Sequence, residues 1–283
     1  MKNSTLIVLT AAIAGAILGI GSAYAADLPV KAPVVVAPTP SWAGFYIGAN
    51  AGAGSAEGGY TLSPAGCFLT GACGGNPALL NPLRTFTEDH LNTFFVGGAQ
   101  AGYNWQAGNF VYGLEGDINY NGWNNTTNNI YNLAAPLAGT FTTAVNSKLD
   151  WFGTVRGRLG IAAYPTILIY GTGGLAYGQV KSSTLGAFSF GGDTYAGTAS
   201  STRAGWTVGG GMEWLFMPSW SLKWEYLYID LGKLNYADGC ISACGPFAPP
   251  QAYATSVQFK EQVFRLGLNY HFNPPPAAVV AKY

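Results

Sequence analysis

The sequence predicts an all-β fold: an eight-stranded antiparallel up-and-down transmembrane β-barrel with short periplasmic turns and four long extracellular loops. Three observations carry this reading. Within the stretch Val263 to Phe272 the chain alternates strictly from Phe264 onward, with Phe264, Leu266, Leu268, Tyr270 and Phe272 on one face and Arg265, Gly267, Asn269 and His271 on the other. Successive strand side chains point to opposite sides, so this strand has one apolar face and one polar or small face. Placed near the end of the chain, it closes a sheet by pairing with an early strand, and residues 42–52 are the obvious partner. Second, only 9% of the 283 residues are charged, against about a quarter in a soluble domain. Yet no run after the amino-terminal segment approaches the roughly 18 apolar residues of a membrane helix. Third, the connections between strand-like segments alternate between very short and long, as they do in outer-membrane barrels.

The chain opens with a secretory signal at 1–25. Lys2 gives it a positive start, Leu6 to Ile20 an apolar core, and Ala23-Tyr24-Ala25 a small-x-small cleavage site before Ala26. Residues 26–41 are rich in Pro, Val and Ala; prolines at this spacing forbid both helix and sheet ladder, giving an extended periplasmic lead-in. Export permits disulfides. The four cysteines form two close pairs in sequence, Cys67 with Cys73 and Cys240 with Cys244. Of the three pairings open to them, local pairing within each loop is the simplest. No histidine neighbours either pair, which favours disulfides over metal.

The barrel is assigned to 42–272. Its strands are expected at 42–53, 94–106, 109–120, 149–164, 166–181, 204–216, 219–231 and 259–272, each longer than the roughly 9–11 tilted residues that cross a bilayer. Ala107-Gly108, Tyr164-Pro165-Thr166 and Met217-Pro218-Ser219 supply tight turns. The intervening stretches 54–93, 121–148, 182–203 and 232–258 read as loops. Aromatics gather at the two expected interfaces. Trp42, Trp105, Phe110, Tyr164, Trp214, Phe216, Trp220, Tyr270 and Phe272 lie near turns or termini, and Tyr120, Trp123, Trp151, Trp206 and Tyr228 near the other boundary. A proline-rich tail occupies 273–283.

Alternation puts Glu115, Asp117, Arg156, Arg158, Glu213, Lys223, Glu225, Glu261 and Arg265 on the lumenal face. An eight-stranded barrel is only just wide enough for side chains to fill it, and unpaired buried charges are too costly to keep. The expectation is a lumenal ion network that plugs the barrel. The two histidines, His90 and His271, fall at opposite ends, so no Ser–His–Asp arrangement uses both; His271 reads as a hydrogen-bonded rim residue near Arg265 and Glu261. Gly171-Thr172-Gly173-Gly174-Leu175-Ala176 mimics a dinucleotide fingerprint. The residues after it are rich in glycine and have no helical periodicity, so the helix that motif requires is missing. Neither a cofactor nor a metal is implied, and a net charge of zero argues against nucleic acid.

Several segments together resemble the RopB-like small outer-membrane β-barrel proteins of rhizobia, Brucella and relatives, often called porin family proteins. They are Ala26-Asp27-Leu28-Pro29, Trp42-Ala43-Gly44-Phe45-Tyr46-Ile47-Gly48, Gly153-Thr154-Val155-Arg156-Gly157-Arg158-Leu159-Gly160 and Trp224-Glu225-Tyr226-Leu227-Tyr228. The resemblance covers nearly the whole mature chain. It implies an OmpA-like barrel abundant in the outer membrane, a role in envelope integrity and surface contact, and no agreed catalytic site. It further implies that Tyr270 and Phe272 form the signal read by the barrel-assembly machinery, although here Asn273 to Tyr283 continues past the usual terminal aromatic.

The function expected from these features is non-enzymatic: a structural, surface-exposed outer-membrane barrel with a salt-bridged lumen. A narrow porin passing small solutes is the alternative, and a lipid-modifying outer-membrane enzyme a remote one. Expected partners are outer-membrane lipids and lipopolysaccharide, the barrel-assembly machinery, and surface or host contacts through the long loops.

Overall fold

The computed structural model describes residues 40–57, 59–65, 92–133, 139–189, 191–243 and 253–272, all of them within the compact unit Pro38–Ala277. The expected signal segment, most of the expected lead-in, the residues after Phe272, and His90, Cys67, Cys73 and Cys244 lie outside the described residues. Among the described residues there are ten strands: β1 Gly44–Glu57, β2 Tyr60–Pro64, β3 Asn92–Ala107, β4 Phe110–Asn121, β5 Asn124–Leu133, β6 Gly139–Tyr164, β7 Ile167–Phe188, β8 Thr194–Met217, β9 Trp220–Ser242 and β10 Tyr253–His271.

The ring runs β1-β3-β4-β6-β7-β8-β9-β10 and closes through β1 against β10. Every pairing in it is antiparallel. The closing pair matches Ala49 with Leu268 and Gly52 with Arg265, so the alternating last strand does meet the segment that opens the barrel. Closure leaves no open sheet edge facing lipid, which is what makes a β-fold viable in a bilayer.

Ten strands differ from the expected eight because two form in stretches that read as loops. β2 pairs with β10 and β5 with β6, and each extends the wall beyond the point where its neighbours end. The ring strands are also longer than the sequence suggests. β6 has 26 residues and begins at Gly139, well before the expected 149; a crossing needs roughly 9–11. Residues 139–148, GTFTTAVNSK, carry few of the apolar outward positions used to recognise a lipid-facing strand, and so they read as loop.

The tight turns come out as two-residue connections at Gly108-Asn109, Pro165-Thr166 and Pro218-Ser219. Gly108 takes φ +61°, a left-handed conformation that glycine adopts without steric cost. Near these turns the outer face is apolar: Tyr112, Leu114, Ile118, Val155, Leu159, Ile161, Ile169 and Leu175 are all exposed. Farther along, outward positions become polar, as at Thr142, Asn146 and Lys148 on β6. The turn-proximal half is therefore the membrane band, and the distal half stands in water.

The aromatic belts need two corrections. Trp105, Phe110, Tyr164, Trp214, Phe216, Trp220, Tyr270 and Phe272 are exposed on the turn side, but Trp42 is fully buried. It precedes the first strand and folds into the mouth of the barrel, its ring edge-on to His271 at 5.9 Å. Trp123 is likewise buried, stacked at 6.3 Å on Phe94 inside the distal wall. In both, alternation fails as a guide because the residue lies outside any strand.

Candidate functional site

The candidate site is the interior, which is filled in three layers. At the turn-side mouth Trp42, Val111, Ala162, Leu168, Tyr170 and Leu215 form a small apolar cluster. In the middle lie the charged groups. Above them a larger apolar core, with Phe94, Trp123, Phe141, Phe152, Ile229 and Phe259 among its members, fills the distal half.

All nine charged residues assigned to the lumen from sequence are buried, each at an inward position of β4, β6, β8, β9 or β10. The structure joins eight of them. Arg156 reaches Asp117 at 2.9 Å, Glu225 at 3.1 Å and also Glu115. Arg265 contacts Asp117 at 2.8 Å and Glu225 at 2.6 Å. Lys223 lies 2.9 Å from Glu115, and Arg158 lies 2.7 Å from Glu213. Four cations thus face four carboxylates and the cluster is neutral, the condition under which buried charges can persist.

Hydroxyls and amides meet the remaining acceptors. Tyr46 donates to Glu115 at 2.6 Å, Tyr170 to Glu225 at 2.8 Å, and Thr154 to Asp117 at 2.8 Å. The guanidinium of Arg158 lies 3.9 Å over the Tyr170 ring and 5.6 Å from that of Tyr46, a cation–π arrangement that tolerates desolvation. Sequence reasoning passed over Tyr46, Tyr170 and Thr154. Their inward parity was legible, but nothing in the sequence shows which carboxylate a hydroxyl will reach.

Glu261 does not join the network. It receives a hydrogen bond from Asn121 at 2.7 Å, and its other oxygen has no hydrogen-bond partner among the described residues. Its cross-strand neighbours are Ala56 and Ile229, so it sits at the lower edge of the apolar core and above the cations. Parity assigned it the correct face, but the height along the strand separates it from its expected partners.

His271 is hydrogen-bonded, as expected, but not beside Arg265 and Glu261. Its neighbours are Ser221, with Oγ 2.9 Å from Nε2, and Glu213, 3.5 Å from the same nitrogen. Ser221 donates to Glu213 at 2.5 Å. A Ser–His–acid relay places the acid on the ring nitrogen opposite the serine; here both contacts fall on Nε2 and the hydroxyl proton points to the carboxylate. Among the described residues no group of three His, Cys, Asp or Glu is placed to hold a metal.

Of the remaining assigned residues, Cys240 lies near the distal end of β9 and is disulfide-bonded. Tyr270 and Phe272 point outward at the turn-side rim, edge to face at 5.1 Å.

Residues 13–272 match the family model of the outer membrane protein beta-barrel domain. Among curated proteins, the chain is 39% identical over 257 residues to the 31 kDa outer-membrane immunogenic protein of Brucella melitensis biotype 1, covering 89% of this chain and 94% of that one. It is 32% identical over 212 residues to the 22 kDa outer membrane protein of Rhizobium leguminosarum bv. viciae, covering 75% and 72%. Among solved structures, the outer membrane protein OprG from Pseudomonas aeruginosa aligns with a TM-score of 0.47 and 12% identity, over 84% of this chain and 100% of that one. With a closed antiparallel ring, an apolar outer band and a match along nearly its whole barrel, the chain belongs to the outer membrane β-barrel family, among the small outer-membrane proteins of the Brucella and Rhizobium type, and resides in the outer membrane.

Proposed function

We propose that the protein is a non-enzymatic barrel that strengthens the envelope and carries a rigid extracellular extension for surface contacts, with a lumen closed to solutes. The observation that carries this reading is the layered interior. A neutral cluster of buried ion pairs occupies the centre, an apolar group closes one side, and an aromatic-rich core closes the other. An ion crossing this interior would shed its water against apolar side chains, at a cost of several kcal/mol even in relaxed protein. The distal strands fit a surface role, because they are paired well beyond the membrane band. The name of the 31 kDa relative, an immunogenic outer-membrane protein, is in keeping with an exposed surface. In this reading Tyr270 and Phe272 dock with the assembly machinery, and the close cysteine pairs staple the loops.

The test is planar-bilayer recording of the refolded mature protein. A closed barrel inserts without stepwise conductance. Reproducible steps of uniform size would make it a narrow porin and overturn the proposal.

A further inference from the structure

On the outer face, the lipid-facing side chains of adjoining strands are small where those around them are large. Ala49 on β1 pairs with Ala99 on β3, and Ala101 with Gly116 on β4. They floor a groove of about 750 Å³ that is also lined by Val155 and Tyr177. A Cβ at Gly116 would meet nothing nearer than the Thr154 carbonyl at 3.8 Å. Barrel packing therefore does not demand a glycine there, and the groove is not a by-product of tight strand contact.

At the edge of the groove, Tyr177 meets Trp151 edge to face at 5.9 Å, part of the outer aromatic belt that marks head-group height. Above that pair, Lys148 and Lys181 stand directly opposite each other across the β6–β7 ladder. Both side chains are 44% exposed. Like charges in directly opposed positions destabilise a strand pair. Asp150 meets one lysine with each oxygen, at 2.7 and 2.6 Å, which among the described residues leaves one net positive charge and unused N–H donors on both ammonium groups. The comparable outward lysine on β10 differs: Lys260 lies 3.8 Å from Asp230 and faces Glu57 across the ladder, so acids already surround it.

We propose that this face binds one phosphate-bearing lipid of the outer leaflet, with Lys148 and Lys181 on the phosphate and an acyl chain along the groove floored by Ala49, Ala99, Ala101 and Gly116. Charge complementarity names the occupant, because the surplus cation stands where lipid phosphates lie and the groove begins at Tyr177, four residues along β7 from Lys181 on the hydrocarbon side. The proposal does not depend on the lumen being closed, so bilayer conductance leaves it untouched.

The test uses the full mature chain in phosphatidylcholine nanodiscs doped with bis-phosphorylated lipid A, with retained lipid counted by native mass spectrometry after extraction. The native protein is expected to retain lipid A and K148Q/K181Q to lose retention at least about fivefold, as the removal of cations at an anionic surface predicts. Gly116→Leu, which fills the groove, is expected to lower retention while the thermal unfolding midpoint stays unchanged; Ala101→Leu replaces it if that variant folds poorly. Equal retention of dephosphorylated lipid A, or no effect of K148Q/K181Q, overturns the phosphate contact. Full competition by inorganic phosphate at matched concentration, or retention unchanged in the groove variants, overturns the acyl groove.

Discussion

Arg156 touches three carboxylates at once, Glu115, Asp117 and Glu225, and so its removal has a sign that burial alone would not give. Arg156→Leu fills similar space but leaves the cluster with one excess negative charge in a water-poor interior. Breaking a buried pair on one side costs about 3–5 kcal/mol, and urea unfolding in micelles is expected to show a loss of that order. Glu261→Gln is the contrast. Its one hydrogen-bond partner among the described residues is Asn121, and the amide keeps the shape while removing a charge that no cation meets. Stability at neutral pH is therefore expected to hold or rise. Asp238, well above the membrane band, gives a pH dependence. Burial pushes its carboxyl up to about 6, partly offset by the hydrogen bond from Thr255. The folded state then holds a proton that the unfolded chain, with a carboxyl near 3.9, has released. The contribution of Asp238 to stability is thus greatest below about pH 4 and is lost as pH rises through about 6. Asp238→Asn is expected to flatten that decline between pH 4 and 7 and to gain about 1 kcal/mol at pH 7 in micelle unfolding curves.

At the scale of elements, the distal halves of β6 to β10 behave as a small β-protein built on a membrane protein. Their inward residues include an aromatic cluster: Phe141 lies 4.4 Å from Phe188 and 5.6 Å from Tyr253, and Tyr195 meets both Phe188 and Tyr253 edge to face. Phe141→Ala removes the ring shared by two of these contacts, a change that in cores costs about 3–5 kcal/mol. Because the membrane band has its own lipid-solvated support, the loss is expected to stay local. Protease added to whole cells should cut the variant in the distal strands, while the turn-proximal fragment stays in the membrane at native abundance; cleavage that also clears that fragment would show that the two halves unfold together. These elements are also where the sequence was least legible. Outward positions such as Thr142 and Asn146 resemble loop residues, and inward ones such as Phe141 and Val145 look like a soluble strand turned the other way. A search for apolar-out alternation stops where lipid stops. The membrane half was legible for the opposite reason, since lipid outside and ions inside fix the parity of every residue from Phe264 to His271.

Across the whole molecule, parity identifies which charges enter the lumen, but it cannot reveal how the lumen divides along its axis. The face of a residue repeats every two positions, whereas its height depends on register and stagger between strands, which no single strand encodes. That is why parity groups Glu261 with Arg265, although it stands above the cations beside Ala56 and Ile229, and why Trp42 reads as a belt residue when it packs inside the mouth. The axial division matters for closure, because barriers in series are limited by the highest one left standing. Ion pairs in the centre can be removed without opening the barrel while the apolar layers on either side still strip water from a passing ion. Arg156→Ala is therefore expected to destabilise the protein without producing conductance. Truncating the distal layer alone, as Phe152→Ala with Phe259→Ala, should leave it silent too, since the central charges and the Trp42 cluster remain packed. Only a chain combining Trp42→Ala, Arg156→Ala and the distal truncations is expected to show stepwise current in planar bilayers. Steps from the single Arg156→Ala variant would mean that the ion pairs alone form the barrier and that the apolar layers are wet.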